Sequence, residues 1–189
     1  MGRQHRIEVP GGYYHVTTRG NDRRPIYFGN WSGRLFVAEL DRASLRHGWR
    51  VLAYCLMGNH YHLVLRLSED GGLSHGMCEL NGRFARASNA WLDRRDHLFG
   101  RRFWCELIDT DAYLKEACRY VLRNPIRAGL ISDSRRWRWS SMAASVGLQR
   151  PAACLDVGGL LGCFASNAER ARRQFAAFVD EGGDRPTSG

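Results

Sequence analysis

The stretch from Trp49 to Leu67 constrains this chain more than any other. Two apolar runs, Trp49–Leu56 and His60–Leu67, are separated only by Met57-Gly58-Asn59. Each run has strand length and composition, and Gly-Asn suits a tight reversal, so the segment predicts a β-hairpin. A lone hairpin is marginal in water and needs more strands and a covering layer. The flanking sequence supplies both. Residues 12–18, Gly-Tyr-Tyr-His-Val-Thr-Thr, read as a first strand, closed by the turn Arg19-Gly20-Asn21-Asp22. Between Ser32 and Arg46, Leu35, Phe36, Leu40, Ala43 and Leu45 recur at helical spacing, and Gly48 ends that helix. Residues 73–94 predict a second helix with Leu80, Phe84, Ala87 and Trp91 as its core stripe. Phe103–Ile108 is a further short strand. Asp109 or Thr110 caps a third helix, which runs to about Arg123 and is stopped by Pro125.

The order strand, helix, strand, strand, helix, strand, helix predicts an α+β fold, a ferredoxin-like antiparallel sheet with packed helices. We assign this unit to residues 1–147. Residues 148–189 are expected to form a C-terminal extension, punctuated by Pro151, Gly158, Gly159 and Gly162. It should carry one short helix beginning at Ser166, which forms a capping box with Glu169. Ala171, Phe175 and Phe178 would face the main domain, and disorder is expected from Gly182 onward.

Composition narrows the partners. The net charge is +9 and the pI about 9.7. Such a balance points to a polyanion, most often nucleic acid. Lys115 is the single lysine among 28 basic residues, so the excess is arginine, whose fork matches phosphate oxygens. Codon bias in a GC-rich genome is a second source of that excess. Six cysteines without a Cys-x-x-Cys pair read as thiols in a reducing cytoplasm. No run of about 18 apolar residues exists, so no membrane is expected as a partner. The polar segment Met1–Pro10 lacks a secretory pattern, so a cytoplasmic location is expected.

Chemistry enters at His60-Tyr61-His62. Alternate side chains of a strand share a face, so His60, His62 and Val64 point one way and Tyr61, Leu63, Leu65 and Leu67 the other. The two imidazoles stand roughly 6–7 Å apart at their Cα atoms, close enough to grip one metal ion. The same pattern also describes two partly exposed strand histidines. On the third helix, Tyr113, Ala117, Tyr120 and Asn124 share a face, with Tyr120 and Asn124 one turn apart. Leu114, Cys118 and Val121 form the neighbouring apolar stripe. A tyrosine at the edge of that stripe can be packing alone. Taken together, the residues suit phosphodiester chemistry: Tyr120 as nucleophile, His60 and His62 as ligands, and the Asn124 amide oxygen as a third ligand. Arg119, Arg123 and Arg127 surround the helix end and can hold phosphates. The run Arg135-Arg136-Trp137-Arg138-Trp139 either stacks on bases or covers the core edge.

These residues carry a resemblance. Met57-Gly58-Asn59-His60-Tyr61-His62-Leu63-Val64-Leu65 resembles the His-hydrophobic-His signature of the single-tyrosine transposases of the IS200 type. Tyr120-Val121-Leu122-Arg123-Asn124-Pro125-Ile126-Arg127-Ala128-Gly129-Leu130 is similar to their tyrosine helix, in the version of the REP-associated tyrosine transposases. His15-Val16-Thr17-Thr18-Arg19-Gly20-Asn21, His97-Leu98-Phe99-Gly100-Arg101-Arg102-Phe103 and Trp139-Ser140-Ser141 resemble flanking landmarks, collinear over roughly Gly12 to Gly147. The resemblance implies a ferredoxin-like fold, a divalent metal (Mg²⁺ or Mn²⁺) and cleavage of single-stranded DNA with Tyr120 joined to the 5′ phosphate. It implies hairpin-forming repetitive extragenic palindromes (REP) as partner. Asn124 stands where insertion-sequence relatives usually carry glutamine, and Gly58 where relatives often have proline. Arg19, Arg101, Arg102, Arg123 and Arg127 are the expected DNA contacts, on a monomer or homodimer. Two alternatives stand beside this reading: a domesticated, non-catalytic DNA-binding regulator of the same fold, and an RNA-binding ferredoxin-like module, whose aromatic strand signature this sequence lacks.

Overall fold

The computed structural model describes residues 8–70 and 72–182. Along the chain run β1 (Tyr13–Arg19), α1 (Asn30–His47), β2 (Arg50–Leu56), β3 (His60–Arg66), α2 (Leu73–Trp91) and β4 (Trp104–Ile108). Then follow α3 (Asp111–Arg127), α4 (Met142–Ser145), α5 (Val157–Gly162) and α6 (Ala168–Asp180). The four strands lie in the order β2-β3-β1-β4, each pair antiparallel, which is the ferredoxin-like arrangement. The hairpin forms where the two apolar runs place it, closed by Met57 N donating to His60 O at 2.8 Å. Pairing of β1 with β3 sets Thr17 opposite His62 and Arg19 opposite His60.

Strand alternation splits the apolar residues between two cores, one on each face of the sheet. On one face Tyr61, Leu63 and Leu65 of β3 meet Phe36 and Leu40 of α1 and Leu80 and Phe84 of α2. On the other, Val64 meets Leu114, Cys118 and Val121 of α3, together with Phe175 and Val179 of α6. Burying each such Leu, Val or Phe side chain contributes about 1.5–3 kcal/mol. The first core leaves no room beside Gly76, where an added Cβ would collide with the Trp49 indole.

Several local expectations are corrected. The α1 stripe is Phe36, Leu40 and Ala43, while Leu45 is 88% exposed. In α2, Leu73, Met77, Leu80, Phe84 and Ser88 keep the buried spacing, so Ala87 and Trp91 rotate out to solvent. Pro125 does not stop α3. It costs the one bond its missing N–H would have made, its ring is buried, and only Ile126 and Arg127 follow it. The stop is Gly129, at φ 69°, with Leu130 N returning to Pro125 O. Thr110 is the N-cap, accepting from Tyr113 N. The cap of α6 is Asn167 rather than Ser166, because Asn167 Oδ1 accepts from Arg170 N. Glu169 pairs with Arg173 one turn on and closes no capping box.

The segment after Gly147 carries α5 as well as the expected helix, and both supply the second core through Leu160, Leu161, Ala171 and Phe175. Phe178 lies outside that core, half-buried against Phe164 and under the Arg119 guanidinium, with Cζ 4.3 Å from the ring centroid. Residues 183–189, where disorder was expected, lie outside the described residues. Trp137 and Trp139 cover the core edge: Trp137 Nε1 donates to Leu56 O and Trp139 Nε1 to Tyr27 Oη. Among the described residues, no helix is long and apolar enough to cross a membrane. All six cysteines are free thiols, and three of them, Cys55, Cys118 and Cys154, are buried.

Candidate active site

The two sheet faces differ at the end where β3 begins. There the α3 face carries imidazoles instead of aliphatic side chains. His60 opens β3, and its Nδ1 lies 2.7 Å from Asn59 Oδ1. An amide oxygen accepts only, so Nδ1 carries the proton and Nε2 keeps its lone pair. Asn59 is itself held, donating from Nδ2 to Arg23 O. The turn is pinned further by Gly58 O, which accepts from Ile26 N and Tyr27 N. A Cβ at Gly58 meets open space, so the glycine is compatible with a turn that needs no special contact there.

His62, two residues on, shares the face. Its ring centroid is 5.0 Å from that of His60. Its Nδ1 lies 2.8 Å from Thr17 Oγ1 and 3.1 Å from His15 Nε2. With Nδ1 occupied by β1, Nε2 is the nitrogen left to face outward. His15 is therefore a third imidazole of the site. It stacks on His62 at 5.3 Å, meets Trp104 edge-on, and is buried with its Nδ1 unpartnered. Burial holds His15 and His60 at about 4 and pushes His62 well below the ordinary histidine value, helped by its imidazole and arginine neighbours. All three rings are neutral at pH 7, the form in which imidazole ligates a metal.

Helix α3 brings the other residues over this patch. The Tyr120 ring stands 5.5 Å from His62 and 5.7 Å from His15, both edge-on. One turn later the Asn124 side chain comes within hydrogen-bonding reach of His60, while its Nδ2 donates to Tyr120 O at 3.0 Å. Arg127 lies over the Tyr120 ring, Cζ 4.8 Å from its centroid, and Arg19 on β1 adds positive charge beside both ligating candidates. Nucleophile candidate, ligand candidates and two arginines thus converge from β1, β3 and α3.

The donor set of two imidazoles and an amide oxygen fits a divalent ion with open positions for phosphate and water. Among the described residues, no cluster of three His, Cys, Asp or Glu side chains holds a metal by itself. Tyr113, the other tyrosine on this helix face, donates from Oη to Glu106 on β4. Burial and that carboxylate push its phenol up from its ordinary value.

The expected DNA arginines divide. Arg19 and Arg127 stand at the site. Arg101 is exposed in the loop whose Phe99 pairs with Gly20. Arg102 is exposed and donates to Ser74 Oγ of α2. Arg123 is corrected out of the set: its Nη1 donates to Val179 O and Asp180 O, and its Nε is buried. Arg119 is likewise spent on Glu116 and the Phe178 carbonyl. Both arginines dock α6 onto α3. The sequence motif does not reveal His15 and Thr17, which hold His62 Nδ1. The register of β1 against β3, set by the hydrophobic pattern of both strands, is the signal that finds them.

The family profile described as "Transposase IS200 like" matches residues 8–124, which include His15, His60, His62, Tyr120 and Asn124. The chain belongs to the IS200-like transposase family. A Haemophilus influenzae protein assigned as a REP-associated tyrosine transposase is 25% identical over 156 residues, covering 77% of this chain and 88% of that one. Among solved structures, a REP-associated tyrosine transposase bound to a REP hairpin superposes with TM-score 0.67 at 19% identity. That match covers 81% of this chain and 90% of the other, and shows that the two share the fold. As an IS200-like transposase, the chain is a DNA-processing enzyme of α+β architecture.

Proposed function

We propose that this transposase cleaves and rejoins single-stranded DNA at hairpin-forming palindromes, through a covalent bond between Tyr120 and a 5′ phosphate. The observation that supports it best is the convergence of Tyr120 and Asn124 on the His60–His62 pair, across elements far apart in sequence. The Tyr120 oxygen attacks phosphorus, the bond from phosphorus to the 3′ oxygen breaks, and that oxygen leaves as a 3′ hydroxyl. The phenol proton is lost as the leaving oxygen gains one. Attack by a 3′ hydroxyl on the phosphotyrosine reverses the sequence, so the bond energy is kept for rejoining.

His60 Nε2, His62 Nε2 and the Asn124 oxygen would hold Mg²⁺ or Mn²⁺. Bound there, the ion would polarise the scissile phosphate. Asn59, Thr17 and His15 fix the ligating rings through their Nδ1 atoms. Arg127 and Arg19 supply fixed positive charge beside the place where the pentacoordinate phosphorus gathers negative charge. Arg101 and Arg102 extend the phosphate-binding surface beyond the Gly20 turn. The hairpin substrate rests on the likeness to the REP-associated relatives and on the arginine surplus.

The test is binding and cleavage on labelled DNA. Single-stranded hairpins should bind better than perfect duplex of the same sequence, with a log–log salt slope of about −0.7 per phosphate contact. Denaturing gels with Mn²⁺ should show cleavage by the native chain and none by Tyr120→Phe. Equal affinity for blunt duplex and hairpin would overturn the substrate assignment.

A further inference from the structure

Two indoles, Trp31 and Trp91, belong to neither core, and Phe28, which packs against the first core, joins them to it. Phe28, Trp31 and Trp91 form a continuous stack on the surface: Phe28 to Trp31 at 6.2 Å and 12° between ring planes, Trp31 to Trp91 at 4.9 Å and 24°. Arg94 lies over Phe28, Cζ 5.9 Å from the ring centroid. The α1–α2 interface is already sealed by Phe36, Leu40, Leu80 and Phe84, and neither indole contributes to that cluster. Trp91 stands at the last position of α2 with 69% of its surface exposed. An indole held flat by a second indole, and otherwise open to water, is a rigid stacking surface whose exposure has no packing reason.

We infer that Trp91, backed by Trp31 and Phe28, is a stacking platform for an unpaired DNA base in the strand that flanks the hairpin. The occupant follows from charge and position. Arg24, four residues before Phe28, and Arg94 and Arg95, just after Trp91, are exposed. A groove lined by Asn81, Arg86, Asn89, Arg95, Asp96 and His97 runs along the second half of the helix that ends at Trp91. Among the nearby acids, Asp96 is paired with Arg24 at 3.7 Å. Aromatic faces interleaved with arginines are the chemistry that binds single strands without reading sequence. The platform is also tied to the site. Ile26 and Tyr27, just before Phe28, hang from the Gly58 carbonyl in the turn that leads into His60. On this reading, a strand leaving the Tyr120 site would pass around that turn to the α1–α2 face where Trp91 lies. A duplex cannot use the platform, because its bases are already stacked on one another.

This inference rests on single-stranded DNA being the substrate, and its test needs no cleavage. In a Tyr120→Phe background, fluorescence anisotropy compares a blunt hairpin with the same hairpin carrying a short unpaired flank that contains 2-aminopurine. Trp91→Ala, at an exposed helix end, should weaken binding of the flanked hairpin about 5- to 150-fold, the loss of one stacked base. It should leave the blunt hairpin unchanged. Binding should quench the 2-aminopurine, and Trp91→Ala should abolish the quench while Trp91→Phe retains part of it. Unchanged affinity for the flanked hairpin, equal loss on both DNAs, or tighter binding of an RNA flank would overturn the platform and leave the Tyr120 chemistry standing. Failure to bind any hairpin would instead remove the substrate reading on which the platform rests.

Discussion

Acidification should expose the strain of three packed imidazoles, and His15 gives the cleanest measure. It is 2% exposed, and burial holds its folded value at about 4, against about 6.5 when the chain is unfolded. Between those values the unfolded chain binds a proton that the native site refuses. Stability conferred by the neutral ring is complete above pH 6.5 and is lost as pH falls toward 4. The difference corresponds to about 3 kcal/mol, of which about 2–3 kcal/mol is lost by pH 4.5. The assay is urea unfolding with EDTA at pH 7.5 and 4.5, for the native chain and His15→Gln. Glutamine does not titrate and can keep a polar contact to His62. Carboxylates elsewhere titrate in both proteins, so the difference between the two losses reports His15 together with its coupling to His62. The native chain should lose about 2–3 kcal/mol more than the variant. Parallel losses would refute the argument that His15 is buried and neutral.

Other perturbations separate the roles of neighbouring residues. His60→Ala or His62→Ala should abolish Mn²⁺ binding when titrated in a calorimeter while sparing hairpin affinity. Asn124→Ala should only weaken the site, with cleavage partly restored by excess Mn²⁺. Arg123→Ala should lower stability by about 1–3 kcal/mol in urea, because it releases two α6 carbonyls, and should leave DNA affinity within twofold. Gly76→Ala should cost about 1–3 kcal/mol in the same assay through the collision with Trp49.

The hairpin, the element order and the candidate set of His60, His62, Tyr120 and Asn124 were legible because each rests on local periodicity or a short motif. Strand alternation alone put both histidines on one face. Helix spacing alone put Tyr120 and Asn124 one turn apart. What stayed hidden depends on contacts between distant segments. His15 becomes a support of His62 only once β1 is aligned with β3. Arg119 and Arg123 look like DNA-facing charges until α6 supplies the carbonyls that consume them. Trp91 satisfies a helical apolar stripe, yet the buried track of α2 passes through Ser88 and leaves the indole in water. Pro125 shows the limit of a local rule: a proline near the end of a helix can be buried inside it, and the glycine four residues on makes the stop.

The central claim is that Tyr120, and not its neighbour Tyr113, makes the covalent bond to DNA. Tyr113 shares the helix face, but its hydroxyl is spent on Glu106, whereas the Tyr120 ring stands over the imidazole pair. The direct measurement is mass spectrometry of the protein–DNA adduct trapped with hairpin substrate and Mn²⁺. The expected result is a nucleotide-bearing peptide containing modified Tyr120, absent from Tyr120→Phe and undiminished in Tyr113→Phe. A nucleotide on Tyr113, or an adduct that survives in Tyr120→Phe, would contradict the account.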